Sequence, residues 1–197
     1  MPEPSSMLYC LDSKMNEIEP IRSVDRLLEI ARTTVKKAAF AFLVTFGADG
    51  NLYARLMQPF PPDEQFVVWM GTSRVSRKVA QLQRDDRATL AYERVHEGAY
   101  VTLMGTATIV DDLALRRRYW LERWRGFWPA GPEDDDYILL RFTAFQLELK
   151  NDARGVSPQS HAQEMAILRK AVDGHGNYRW VTLDMQDRTA GPSGVGH

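Results

Sequence analysis

One cysteine, Cys10, is all the chain contains, so neither an internal disulfide nor a cysteine-ligated zinc site can form. That usage fits a reducing compartment. Long apolar runs are missing as well. Stretches such as Ala38–Phe46 stop far short of the ~20 residues that a membrane-crossing helix needs. The opening MPEPSSMLYC has no basic, apolar leader, so a cytoplasmic location is the expectation. Charge of one sign is not concentrated either: 25 Lys and Arg face 26 Asp and Glu, for a formal net charge of −1. Neither nucleic acid nor a membrane is therefore an expected partner. Histidines number four, His96, His161, His175 and His197, with no His-x-x-x-His pair, and no Gly-x-Ser-x-Gly occurs, so zinc hydrolysis and serine chemistry lack support. The carboxylates Glu133–Asp136 follow Gly131-Pro132 without an ordered ligand spacing and read as a solvated loop, leaving no expected metal site.

What is present is a globular composition, 44% hydrophobic and 26% charged over 197 residues, enough core for one domain with a tail. Ser23 precedes a helical pattern over 24–36, in which Leu27, Leu28, Ile30, Ala31 and Val35 recur at helical spacing. A hairpin follows: Phe40–Phe46, the turn Gly47–Asn51 and Leu52–Met57, ending at the proline-broken loop 59–62. Phe66–Met70 reads as a third strand, Ser76–Gln83 as a short helix, and Ala88–Glu93 and Tyr100–Val110 as two more strands. A helix is expected from Asp111-Asp112 to about Arg125, and Tyr137–Leu149 completes the set of six strands and three helices. Strands joined by short turns, with helices inserted singly, argue for a mainly β, antiparallel barrel and against a doubly wound parallel sheet. Residues 1–20 read as an N-terminal extension, 20–150 as the domain and 151–197 as a C-terminal extension. In that extension Asn151–Gly155 and Ser157-Pro158 look like a linker, a weak hairpin is expected to turn at Asp173–Asn177, and Thr189–His197 is expected to be disordered.

The segment Trp69–Lys78 carries the strongest functional signal. A strand passes through a small-residue turn into a helix whose first turn holds Arg77 and Lys78. A helix N-terminus is already positive, so two cations there are unfavourable unless an anion joins them. Free backbone N–H groups, the Thr72 and Ser76 hydroxyls and the two cations together make a cradle for a phosphate monoester. The plainer alternative is an N-capping Ser76 with two solvated basic side chains. Arg55 bears on the choice. Alternation along its strand sets Tyr53, Arg55 and Met57 on one face and Leu52, Ala54 and Leu56 on the other. If the Tyr53 face lines a cleft, Arg55 supplies a further contact to phosphate or to a ring oxygen.

The ordered set Arg55-Leu56-Met57, then Thr72, then Ser76-Arg77-Lys78 resembles the FMN-binding split β-barrel of the pyridoxamine-phosphate-oxidase-like superfamily, most closely its bacterial general stress protein branch. Tyr100–Ala107 and Trp128–Arg141 match the same pattern, and the likeness spans roughly residues 20–150. The resemblance implies a six-stranded split barrel with FMN as cofactor, working as a homodimer with the flavin between subunits. It implies Arg55 and Lys78 at the phosphate or ring edge with Arg77 beside them, hydroxyl bonds from Thr72 and Ser76, and packing or backbone contacts from Met57 and Met70. Tyr100, or a tryptophan of the 120–128 segment, would approach from the partner chain. The arginine and histidine segment with which true pyridoxamine-phosphate oxidases grip their substrate has no counterpart here, which argues against vitamin B6 oxidation. The expected function is thus an FMN-dependent oxidoreductase acting on a small molecule. The alternatives are a non-catalytic flavin-binding stress protein, or a split barrel holding F420 or haem. Trp120, Trp124 and Trp128, at i, i+4 and i+8, read as a packing stripe, with Arg116, Arg117, Arg118, Arg123 and Arg125 on the solvated side of the same helix.

Overall fold

The computed structural model describes residues 23–156 and 165–183. The extension 1–20, the Ser157-Pro158 segment and the tail Thr189–His197 lie outside these. Helix α1 (Val24–Lys37) buries Leu27, Leu28, Ile30, Ala31 and Val35, the residues its period selects. Ser23 stands at its N-cap, but the hydroxyl makes no capping bond. Strands β1 (Ala41–Phe46) and β2 (Leu52–Met57) form the expected hairpin, with Leu43 facing Arg55. Then come β3 (Val67–Ser73), α2 (Arg77–Arg84), β4 (Arg87–Arg94), β5 (Ala99–Val110), α3 (Leu113–Arg118) and β6 (Tyr137–Asn151). All six expected strands are present, and every pairing among them is antiparallel.

Two further strands belong to the C-terminal extension. Strands β7 (Ala166–Val172) and β8 (Tyr178–Thr182) turn at 173–177, where the hairpin was expected, and add to the same sheet in the order β2-β1-β4-β5-β6-β7-β8. One edge of β6 is shared: its first half pairs with β3 and its second half with β7. The sheet does not close on itself, which is the split-barrel architecture. The 151–155 stretch is built into the fold and does not hang as a linker. The Asn151 side chain is buried, accepts from the Arg154 N–H at 3.0 Å and donates to the Thr34 hydroxyl at 3.0 Å.

One core, centred on Leu43, Leu90, Leu103, Phe142 and Leu147, fills the barrel beneath α1. A second, aromatic cluster lies on the far side of β3 and β6, where Trp124, Tyr137 and Leu139 pack with Phe60, Trp69, Tyr119, Trp120 and Trp128. Here the expected helix to Arg125 is corrected. Helix α3 ends at Arg118, and a separate 3-10 turn covers Glu122–Gly126. The cause is tertiary. The Tyr119 ring stacks on Trp69 at 4.8 Å, and the Tyr119 carbonyl accepts the Tyr137 hydroxyl at 2.6 Å, so packing overrides helical spacing. Arg116 is likewise corrected from solvated to buried. It donates to the Pro132 and Asp134 carbonyls at 2.8 and 2.6 Å and pairs with Asp111 at 3.0 Å, fixing the loop before β6. No helix of the described residues is long and apolar enough to cross a membrane.

Candidate functional site

The end of β2 and the middle of β3 approach each other where Pro59 bridges Met70 and the Phe60 N–H donates to the Trp69 carbonyl at 2.8 Å. Strand β3 then runs through Gly71-Thr72-Ser73 into the turn that begins α2, so one short path delivers both hydroxyls and the cations of the helix start. The Ser76 hydroxyl makes no capping bond to α2 and lies 3.4 Å from the Thr72 hydroxyl instead. Lys78 reaches back and donates to Thr72 Oγ1 at 3.0 Å. Thr72, Ser76 and Lys78 therefore converge, and the role of Ser76 as a simple N-cap is set aside.

Arg55 enters this corner from the barrel side. Its guanidinium donates to the Leu43 carbonyl at 3.0 Å, to Thr45 Oγ1 at 2.7 Å and to Gln81 Oε1 at 2.7 Å, while the Thr45 hydroxyl itself donates to Gln81. The Tyr53 face of β2 thus points inward, and Leu52 and Leu56 point out, as alternation requires. Arg77 is exposed, with its guanidinium 5.6 Å from the Tyr53 ring. That ring is tethered by its own hydroxyl, which donates to Asp49 at 2.8 Å. Hydrogen bonds from Asn51 and Tyr53 draw the Asp49 carboxyl down to about 2.

The electrostatics of the corner are one-sided. Burial, and after it the nearby Arg55, holds the Lys78 ammonium below the usual lysine range. Burial, and after it Arg77, lowers Arg55. Among the described residues none of the three cations has a carboxylate partner. Partly buried like charges without a counter-ion are unfavourable alone and favourable around an anion.

The corner opens into a cleft of about 540 Å³ lined by Met57, Gln58, Thr72, Lys78, Trp124 and Asp136 among others. Asp136 belongs to the 133–136 run whose composition predicts a solvated loop. Its carboxylate accepts from Ser73 Oγ at 2.8 Å and from the Trp128 indole N–H at 3.3 Å. Partial burial works to raise this carboxyl, but bonds from Ser73, Trp128 and the Val75 and Arg74 backbone outweigh it and hold it below the usual range. Of the other expected residues, Met57 lines the cleft, whereas Met70 is fully buried in the barrel core and bears on the site only through its backbone. Tyr100 is not brought to the corner within one chain: it pairs with Lys150 near one end of β6, while Thr72 pairs with Ile138 near the other, and its hydroxyl contacts the Met165 sulfur. Among the described residues no cluster of His, Cys, Asp and Glu gathers as a metal ion would need.

The fold is thus a split barrel, and beside β3 and the start of α2 it carries a cationic corner with no carboxylate partner among the described residues. The chain belongs to the pyridoxamine 5'-phosphate oxidase like family, whose model matches residues 27–171. No curated protein matches it. Among solved structures it is similar to a Clostridium acetobutylicum protein related to general stress protein 26, at 21% identity over 74% of this chain and 95% of that one, with a TM-score of 0.62. General stress protein 26 of Bacillus anthracis is 22% identical over 73% of this chain and 98% of that one, with a TM-score of 0.59. A pyridoxamine 5'-phosphate oxidase-related, FMN-binding protein of Nostoc punctiforme is 14% identical over 85% of this chain and 98% of that one, with a TM-score of 0.58. At these identities the likeness is one of fold.

Proposed function

We propose that the protein binds FMN and acts as an oxidoreductase on a small molecule. The observation that carries this reading is the convergence of Lys78 with the Thr72 and Ser76 hydroxyls at the start of α2, with Arg55 and Arg77 nearby and, among the described residues, no carboxylate paired with any of the three cations. These residues fit a phosphate monoester: Lys78 and Arg77 supply charge, the two hydroxyls supply directed hydrogen bonds, and the backbone N–H groups of the α2 start complete the cradle. Arg55, braced by Thr45 and Gln81, keeps the corner positive from the barrel side. FMN, when bound, supplies the one- and two-electron redox chemistry, for which no side chain here substitutes. The chain orients the ligand by its phosphate and leaves the Met57 and Gln58 side of the 540 Å³ cleft for what remains. Support also comes from the family and from the FMN-binding protein of Nostoc punctiforme with the same fold. Haem is disfavoured, since the two described histidines, His96 and His175, sit exposed in turns and do not line the cleft.

The homodimer is part of the same proposal. Phe42 and Leu56, cross-strand partners on the outer face of β1 and β2, are 51% and 55% exposed, and Leu52 is 63% exposed. Phe42 pairs on its other side with Ala91, and Ala91 with Thr102, so the face continues to the strand bearing Tyr100, where Glu93 and Lys150 flank it. Tyr100 stands on that face, as a contribution across a subunit boundary requires. The test is a fluorescence titration of FMN with inorganic phosphate as competitor. Binding that phosphate weakens supports the cradle, and binding indifferent to phosphate places the ligand elsewhere.

A further inference from the structure

The cleft has a second wall that the cationic corner does not use. The Trp124 ring occupies the space that Gly71 leaves by having no side chain: a Cβ at position 71 would lie 2.8 Å from both the Trp124 and Tyr137 rings. Trp128 is pinned through its indole N–H to Asp136, and Trp120 stands edge-on behind both indoles at 6.1 and 6.4 Å. Two indoles are thereby held in place by packing and one hydrogen bond. At the lip stands Phe127, 77% exposed, whose only aromatic contact among the described residues is a tilted one with Trp128 at 6.0 Å. Met57 extends the apolar lining.

The charges bound what this wall accepts. Of the described residues lining the cleft only Lys78 and Asp136 are charged, and Lys78 belongs to the proposed phosphate corner. Of the nearby cations, Arg125 does not line the cleft and is committed to Glu122 at 2.7 Å. A ligand carrying a second anion at the aromatic wall meets the Asp136 carboxylate, and among the described residues no cation besides the phosphate corner's lines the cleft to answer it. We infer that the Trp124–Phe127–Trp128 wall is the substrate-binding surface and that its substrate class is a planar, uncharged aromatic molecule. The role in turnover rests on the flavoprotein reading, whereas the surface itself is built by the chain alone.

The test titrates 1,4-naphthoquinone against tryptophan fluorescence in the wild type and in Phe127→Ala, with a parallel FMN titration of both. Phe127→Ala removes one exposed ring and is expected to weaken naphthoquinone about tenfold, the scale of one aromatic contact, with FMN affinity unchanged. With FMN added, 1,4-naphthoquinone-2-sulfonate is expected to bind more weakly than its uncharged parent. Naphthoquinone affinity indifferent to Phe127→Ala overturns the inference. So does an equal loss of FMN, which would make the wall a flavin support, or a change of mass in light scattering, which would make Phe127 a contact between copies. Equal binding of the sulfonate overturns the uncharged class. Should naphthoquinone depend on Phe127 while FMN fails to bind the wild type, the surface stands and the flavoprotein reading falls.

Discussion

Lys78 donates its ammonium to the hydroxyl of Thr72 at 3.0 Å, across the turn that joins β3 to α2. A neutral hydroxyl is a modest partner for a half-buried cation, the charge that acts on it is that of Arg55, and among the described residues no carboxylate forms an ion pair with it. Replacing Lys78 or Arg55 with Ala is expected to weaken FMN binding by ~1–3 kcal/mol each, the usual size for losing a charged hydrogen bond. Flavin fluorescence titration measures this, and unchanged affinity in both variants removes the proposed cradle.

The same residue sets a pH dependence. Because burial and then Arg55 lower the Lys78 pKa in the folded protein, the ammonium loses its proton below the ordinary lysine value of about 10.4. FMN affinity is expected to be full below that depressed value and to fall as pH rises through it. In Lys78→Arg the fall should vanish, since a guanidinium keeps its charge throughout. A wild-type profile that stays flat up to the ordinary lysine range contradicts the assignment.

Relief of the unpaired charge has a consequence for stability. In the FMN-free protein, Lys78→Met should raise the melting temperature while binding is lost, because a partly buried cation facing another cation is replaced by an apolar side chain. Calorimetry on the two proteins reads the sign, and a lower melting temperature would mean that the Thr72 bond outweighs the repulsion.

How much of this was legible beforehand differs from element to element. Helix α1 and the β1–β2 hairpin were readable because local period and burial agree there: Leu27, Ile30, Ala31 and Val35 share one face, and Gly47–Asn51 is a turn by composition. The Thr72–Lys78 corner was readable because helix electrostatics made its cations anomalous. Asp136 and Arg116 were not. Their surroundings come from chain segments that only packing brings together, Ser73 with Asp136 and Arg116 with the Pro132 and Asp134 carbonyls. The single trace in the sequence was an arginine on a run of arginines opposite an acidic loop, a pattern that surface helices also show. The tryptophan spacing named the right cluster for the wrong reason, since the three indoles converge on Tyr137 from a broken helix.

Gly71→Ala tests the join between the cleft and the aromatic cluster. The added methyl meets the Trp124 and Tyr137 rings at 2.8 Å, so the variant should lose about 1–3 kcal/mol in chemical denaturation, as overpacked sites do. No loss of stability would show that the two rings move aside freely.

Arg116→Lys is expected to destabilise by about 1–3 kcal/mol although charge is conserved, because one ammonium cannot serve two carbonyls and Asp111 in the fork geometry of a guanidinium. Urea unfolding monitored by tryptophan fluorescence reads it, and wild-type stability in the Lys variant would reduce Arg116 to a simple charge.

The proposed dimer has its own check. Phe42→Lys places charge in the middle of the exposed β1–β2 face, opposite Leu56, and should convert a dimer to a monomer in light scattering. A wild-type protein already monomeric would contradict the subunit arrangement and leave the cradle untouched.

The central claim is that the cationic corner holds the phosphate of FMN. Its most direct measurement is the visible absorption spectrum of the purified protein, before and after adding FMN and desalting, beside Lys78→Ala treated in the same way. The account predicts flavin bands that survive desalting in the wild type and are reduced or lost in the variant. A wild-type protein that emerges colourless after exposure to FMN contradicts it.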